Sequence, residues 1–195
     1  MVDEIALLER ALDQMGEVIA AIEPEQAELP TPCEGWDVRA LVTHVIGQSL
    51  RNSTAAARGE MPDWGAPPED PGDDWAAAFG DGAERLLTTW READLDQPVP
   101  VPGGDSAPLR SRADQQITEL AMHAWDLSRA TGQARDLDAE VAEYGLAWAR
   151  KMLRPEFRGP DKAFGHEVPV DTDAPPYERL AGWFGRDPSW QPDLG

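Results

Sequence analysis

The length, composition and charge of the chain already exclude several classes of protein. Its 195 residues are enough for one domain, and 41% apolar with 28% charged residues is an ordinary globular composition, not that of a disordered, collagenous or coiled-coil chain. Its 37 Asp and Glu outnumber its 17 Lys and Arg, and the resulting net charge of −20 repels nucleic-acid phosphates and anionic membrane surfaces alike. We therefore expect no nucleic-acid partner and no membrane partner.

Apolar residues that recur at spacings of three and four predict a series of helices. Asp3 is a suitable N-cap for the first of them and Pro24 a suitable stop, while Gly132 stands where a helix C-terminus needs a left-handed residue. In chain order, the predicted helices cover residues 4–22, 36–58, 74–94, 111–131, 138–153 and a short stretch near 176–184.

The connections between these helices are rich in proline and glycine. Residues 29–35, 59–74 and 99–104 are predicted as loops or extended segments, with a turn at Gly103 and Gly104. Strands are hard to place, because no alternating run exceeds about four residues. The pattern predicts an all-α fold: a four-helix bundle with an additional helix and a loop-rich C-terminal tail. We expect a single domain over residues 1–195, with the bundle at about 3–154 and the extended tail at 155–195.

The single cysteine and the N-terminal residues bear on the cellular compartment. Cys33 cannot form an internal disulfide, and with no base near it in sequence it is expected to be an inert thiol. Residues 1–4 are acidic and lack the apolar core of a signal peptide, and no stretch approaches about 18 apolar residues. These features predict a cytoplasmic protein without a transmembrane helix.

Two of the three histidines lie in predicted helices where they could bind a metal. His44 stands on a small, apolar face of the second helix, and Glu119 precedes His123 by one turn on the fourth. Taken separately, each has a plainer explanation: His44 as a buried core histidine, and Glu119 with His123 as a surface pair. Together they offer two imidazoles and a carboxylate, a set that suits zinc with one open position, or alternatively Fe(II) or Ni(II).

Other polar residues could assist such a site. Asp126 could orient a ligand, although solvation or a pair with Arg129 is the more ordinary expectation. His166 has no partner at a useful spacing. Further residues that could line a pocket are Trp36, Gln48, Gln115, Gln116 and Trp125.

Three segments resemble one protein family. They are LPTPCEGWDVRALVTHVIG at residues 29–47, ELAMHAWDLSRATGQ at 119–133, and the region from Phe164 to Trp190. The first two resemble the signatures of DinB-like proteins of the mycothiol-dependent maleylpyruvate isomerase type, and the third resembles a branch of small metal-binding members. The resemblance covers nearly the whole chain.

The resemblance implies a DinB-like bundle with a divalent metal held by three side chains. The family's histidine on the second helix and its Glu-x-x-x-His pair match His44, Glu119 and His123 one for one. Zinc is the metal implied by the isomerase, while other members of the superfamily accept nickel or iron. The isomerase also uses mycothiol, whose thiol a metal would hold as the nucleophilic thiolate. The isomerase also carries an additional α/β domain after the bundle, whereas residues 155–195 here are predicted to be mostly loop.

Three functions remain open on the sequence alone. The first is a mycothiol-dependent enzyme of the thiol transferase or isomerase type, acting on a small molecule. The second is a metal-dependent hydrolase or isomerase in which metal-bound water replaces the thiol. The third is a non-enzymatic protein that binds a metal or a small ligand. An anionic substrate would need arginines at the pocket, for which Arg39, Arg51 and Arg129 are candidates. Bundles of this kind commonly form homodimers, but no feature of the sequence identifies an interface.

Overall fold

The structure is a computed structural model that describes residues 3–101, 105–159 and 164–192. Seven α-helices make up most of the described chain, in agreement with the predicted all-α, DinB-like class. They are α1 Glu4–Ala20, α2 Val38–His44, α3 Leu50–Ala57, α4 Trp75–Glu92, α5 Arg110–Ala130, α6 Ala139–Met152 and α7 Pro176–Trp183. None of these helices is long and apolar enough to cross a membrane.

Aspartates begin four of the helices. The side chains of Asp3, Asp37, Asp74 and Asp138 each accept a hydrogen bond from a backbone N–H in the first turn of the adjoining helix. Such caps satisfy donors that have no partner within the helix, and each typically contributes about 1 kcal/mol. Asp37 therefore sets the start of α2 at Val38, which fixes the rotation of His44 six residues later.

The second predicted helix is interrupted by a wider turn. Residues Val45–Ser49 form a π-helical turn between α2 and α3. Such a turn adds a residue to the helical repeat and so rotates α3 relative to α2. Apolar residues keep their helical spacing across the π-helical turn. The sequence therefore predicts one continuous helix over residues 36–58.

The described residues include one two-stranded antiparallel sheet. Strand β1 (Pro98–Pro100) pairs antiparallel with β2 (Ser106–Pro108), with Val99 opposite Ala107. Prolines at three of the six positions remove backbone donors and leave no alternating pattern, so these residues carry little strand signal. The turn predicted at Gly103 and Gly104 lies outside the described residues.

Helix α5 is the centre of the bundle. It packs against both α1 and α6, and α1 also packs against α4. Fourteen of its residues are buried, so α5 is enclosed by the fold along much of its length. The side chains that fill the core around it include Leu8, Met15, Leu41, Leu86, Trp90, Ile117, Leu120 and Leu146. Glu119 and His123 are carried by this enclosed helix.

The C-terminal tail returns to the bundle. Helix α7 packs against α6 and α5, and the Tyr177 hydroxyl lies 2.6 Å from the Gln14 side-chain nitrogen of α1. Beyond α7, Arg186 reaches a carboxylate on α5. The single-domain boundary of 1–195 remains a prediction, and these contacts are consistent with it.

The loop between α3 and α4 is held close to the π-helical turn. Asn52 exchanges hydrogen bonds with the backbone of Asp63, and Glu69 N–H donates to the Gly47 carbonyl at 3.2 Å. A Cβ on Gly47 would stand only 2.0 Å from the Glu69 carbonyl oxygen. Glycine is therefore required there for the close approach of two backbones.

Gly47→Ala is expected to destabilise the protein by about 1–3 kcal/mol, because the loop must move away from the new methyl group. Gly80→Ala is the matched control: a Cβ there meets nothing within 4 Å, and alanine in a helix is favoured over glycine by about 1 kcal/mol. Urea denaturation of both variants measures the difference. Equal effects at the two positions would contradict the close contact.

Candidate metal centre

Three side chains from two helices converge at one point. His44 is the last residue of α2, and Glu119 and His123 lie one turn apart on α5. One carboxylate oxygen, Glu119 Oε1, lies 2.7 Å from His44 Nε2 and 3.4 Å from His123 Nε2. All three potential ligand atoms lie within 4.8 Å of one another. The structure therefore brings together the residues that the sequence singled out.

The orientation of His44 is set by Gln48, one turn further along. The Gln48 amide nitrogen donates to the carbonyls of Trp64 and Ala66 at 3.1 and 2.8 Å, so its oxygen faces His44. That oxygen lies 2.9 Å from His44 Nδ1, which must therefore carry a proton and donate. The other ring nitrogen, Nε2, is left to face Glu119.

His123 is oriented in the same way by a carboxylate. Its Nδ1 donates to Asp126 Oδ2 at 3.0 Å, which again leaves Nε2 facing Glu119. Asp126 is fully buried and is held by Arg186, whose Nη2 and Nε lie 3.1 and 3.3 Å from its two oxygens. Arg186, a largely buried residue of the tail, thus stabilises Asp126, which in turn orients His123.

The charges of the cluster compensate one another. Burial disfavours the ionised carboxyl of Glu119, but the neighbouring imidazoles of His123 and His44 hold its pKa well below the usual range. Burial also acts against the charged form of His123, yet the carboxylates of Glu119 and Asp126 raise its pKa to about 9. Glu119 is thus ionised at neutral pH and His123 is protonated when no other cation lies between them.

The donor set fits a divalent metal. Zinc bonds of about 2.0–2.2 Å at tetrahedral angles place ligand atoms about 3.4 Å apart. The Glu119–His123 separation of 3.4 Å has this value, whereas the Glu119–His44 separation of 2.7 Å is a hydrogen-bond distance that would widen around an ion. Both histidines present Nε2 while an acceptor holds Nδ1–H, the arrangement that orients metal-bound imidazoles. The Glu119 side chain is 26% exposed, against 11% and 9% for the two histidines, so the cluster has one side open to a small molecule.

A cleft of about 670 Å³ opens beside His44. Its walls combine α2 and the preceding residues with the loop between α3 and α4. The Trp36 ring meets the His44 ring edge-on with centroids 4.7 Å apart, and the Trp64 ring lies 6.3 Å from it. The lining residues beyond these three include Asp37, Arg39, Ala40, Thr43, Gln48, Pro67 and Pro68.

The residues predicted to assist the site have different positions in the structure. Gln48 and Trp36 line the cleft, whereas Gln116 is buried against Ser49 and Trp125 is buried in the core. The expectation of a solvated Asp126 or an Asp126–Arg129 pair is wrong, since Asp126 is buried against His123 and Arg186. Arg129 instead stacks over Trp125.

Among the remaining candidates, only Arg39 lines the cleft. Cys33 lies near His123 and Asp126. Burial raises the pKa of its thiol to about 11, although the nearby Arg186 acts in the opposite direction. The thiol is therefore protonated at neutral pH. His166 is exposed in the tail. Of the three arginines suggested for an anionic substrate, Arg39 lines the cleft, while Arg51 contacts the Pro67 carbonyl and Glu69.

The fold and the site together define a class: an all-α bundle with two histidines and a carboxylate at one open cluster. Comparison with known proteins gives the family. Residues 8–128 match the model described as the mycothiol maleylpyruvate isomerase N-terminal domain. The chain belongs to this family.

Relatives and solved structures agree with this assignment. The uncharacterized proteins Rv0738 and MT0763, from the H37Rv and CDC 1551 strains of Mycobacterium tuberculosis, are each 34% identical over 195 residues, which covers 94% of this chain and 98% of the relative. Crystal structures of a mycothiol-dependent maleylpyruvate isomerase and of a histidine-to-alanine mutant of it superpose with TM-scores of 0.55 and 0.57, at 20% and 21% identity. These matches cover 74% of this chain and 66% of the isomerase chain, and they show a common fold.

Proposed function

We propose that the protein is a metal-dependent, mycothiol-using enzyme of the isomerase or thiol transferase type, and that His44, Glu119 and His123 are its metal ligands. Zinc is the proposed metal, with nickel and iron as the alternatives. The observation that carries the proposal is the paired orientation of the histidines. Both Nδ1 atoms donate to acceptors, so both Nε2 atoms face the same Glu119 oxygen. The family supports the choice of thiol.

Each residue of the site would have a distinct role. His44, Glu119 and His123 would hold the metal, which supplies Lewis acidity that favours the thiolate form of a thiol. Gln48 and Asp126 would keep both imidazoles in the tautomer that presents Nε2. The cleft beside His44 would hold a small electrophile within reach of the cluster. Trp36 and Trp64, whose rings both lie close to His44, would exclude water from that end.

The first prediction concerns metal content. Wild-type protein purified without a chelating tag is expected to hold about one divalent ion per chain, as the three ligands form one site. His44→Ala is expected to reduce that content by at least about tenfold, because a ligand is lost. Elemental analysis measures both, with circular dichroism as the test of folding. The matched control is His166→Ala, which removes an exposed histidine and should leave the metal in place. A folded wild type that takes up neither zinc, nickel nor iron would refute the site.

The second prediction concerns the thiol. In cobalt-substituted protein, mycothiol is expected to produce a sulfur-to-cobalt absorption band, because a thiolate binds a metal that has an open position. The same protein loaded with zinc is expected to consume electrophiles only when mycothiol is present. Turnover that is equally fast without any thiol would instead indicate metal-activated water. Stable metal with no turnover of any electrophile would indicate a non-enzymatic binding protein.

A further inference from the structure

The cleft beside His44 has an apolar lining in a protein of high charge. Its walls are formed by two indole rings, two prolines and two alanines: Trp36, Ala40, Trp64, Ala66, Pro67 and Pro68. We call these six residues the tryptophan wall. Trp64 is 41% exposed and is one of four large apolar side chains that are exposed in the described ranges. Two indoles beside a cleft form a binding surface for flat apolar groups.

The tryptophan wall is built into the fold. Gln48 donates two hydrogen bonds to the Trp64 and Ala66 carbonyls, and Asp63 accepts at its side chain from the N–H groups of Gly65 and Ala66. The loop that carries Trp64 is thus attached to the π-helical turn that continues from His44. A wall held in this way costs little ordering entropy when a ligand binds, which favours affinity.

The charges at the cleft do not favour an anion. Apart from the proposed metal ligand His44, the ionisable side chains of its lining are Asp37 and Arg39. Asp37 accepts the Ala40 N–H as an N-cap, and the Arg39 guanidinium stacks 5.4 Å over the Trp75 ring. One negative and one positive side chain leave no excess of cations, and the chain as a whole carries −20. A dicarboxylate would find neither a paired arginine clamp nor a favourable field there.

We propose that the tryptophan wall binds an uncharged, flat, apolar part of the substrate, an aromatic ring or a conjugated chain, with the reactive end towards His44. This assignment rests on the proposed function in treating the ligand as the substrate, but the binding surface exists without a metal. The 670 Å³ of the cleft is enough for a two-ring group.

The test compares two ligands with the same ring system. Calorimetric titration measures binding of 2-naphthylmethanol, which is neutral, and of naphthalene-2,6-dicarboxylate, which is a dianion. The neutral probe is expected to bind at least about tenfold more tightly. Trp64→Ala is expected to weaken it about tenfold, and Trp64→Phe to restore most of that loss, because an aromatic face is what the ring needs. Phe157→Ala is the matched control, since Phe157 is another exposed aromatic, 50% exposed and absent from the cleft lining.

Each titration is carried out on metal-loaded and on chelator-treated protein. Neutral-probe binding that is equal in both forms supports the proposal, even if the protein has no thiol-dependent activity. Tighter binding of the dianion would overturn it. So would binding that disappears with the metal, or a loss in Trp64→Ala no larger than in Phe157→Ala.

Discussion

Replacing Asp126 with alanine is expected to lower the free energy of unfolding by about 3–5 kcal/mol, the usual cost of breaking a buried ion pair from one side. Asp126 has no exposed side-chain surface and accepts two hydrogen bonds from Arg186. The Arg186 side chain is itself only 11% exposed. Alanine would therefore leave a buried guanidinium with no counter-charge, and the tail would lose its ionic contact with α5.

Urea denaturation measures this loss of stability, and two further variants serve as comparisons. Asp13→Ala removes an exposed aspartate of α1 and should change the stability by less than about 0.5 kcal/mol. The double variant Asp126→Leu with Arg186→Met replaces both charges by apolar groups and should recover much of the loss. An Asp126→Ala protein that loses less than about 1 kcal/mol would show that the pair does not carry the stability of a buried ion pair.

Asp126→Ala is also expected to weaken metal binding, because Asp126 orients the proposed ligand His123. Without Asp126, no acceptor holds Nδ1–H of that imidazole, and loss of such a partner typically weakens metal binding by about 10–100-fold. Asp126→Asn keeps an acceptor oxygen at nearly the same shape. We therefore expect it to retain more of the metal affinity than alanine does, although it loses the charge that pairs with Arg186.

The parts of the fold that the sequence could predict are those decided locally. Helix boundaries follow from apolar spacing and from aspartate caps, both of which act within one or two turns. The helix containing His44 was predicted correctly on that basis, but its π-helical turn was not. At that turn the Gly47 carbonyl accepts the Glu69 N–H, a contact with a distant loop that no helical pattern records.

The parts of the site that could not be predicted depend on residues distant in sequence. Asp126 and Arg129 are three apart on one helix, so a local argument favours pairing them. In the folded chain Arg186 competes for the same carboxylate from the tail, 60 residues away, and Arg129 turns to Trp125 instead. The position of Trp64 was equally hidden, because it is set by Gln48 hydrogen bonds to loop carbonyls. The contacts that the tail and the α3–α4 loop make with the site are set by the tertiary fold, which local spacing along one helix does not record.

The other large effect is expected at the centre of the cluster, from Glu119→Gln. The substitution keeps the shape of the side chain but removes the only carboxylate among the three proposed ligands. Loss of a ligand charge is expected to weaken zinc binding by at least about 100-fold, more than the loss of an outer partner. Since bound zinc stabilises the folded state in proportion to the logarithm of its affinity, about 2.7 kcal/mol of zinc-dependent stabilisation should disappear.

The measurement is the difference in unfolding free energy with and without excess zinc, made for wild type and Glu119→Gln at one zinc concentration. Glu84→Gln removes an exposed carboxylate on α4 and should keep the full zinc effect. The comparison is internal to each variant, so any change in the stability of the metal-free protein cancels. If Glu119→Gln were stabilised by zinc as strongly as wild type, the carboxylate could not be a ligand. The contact of Glu119 with both histidines would then be only an ionic cluster without a metal.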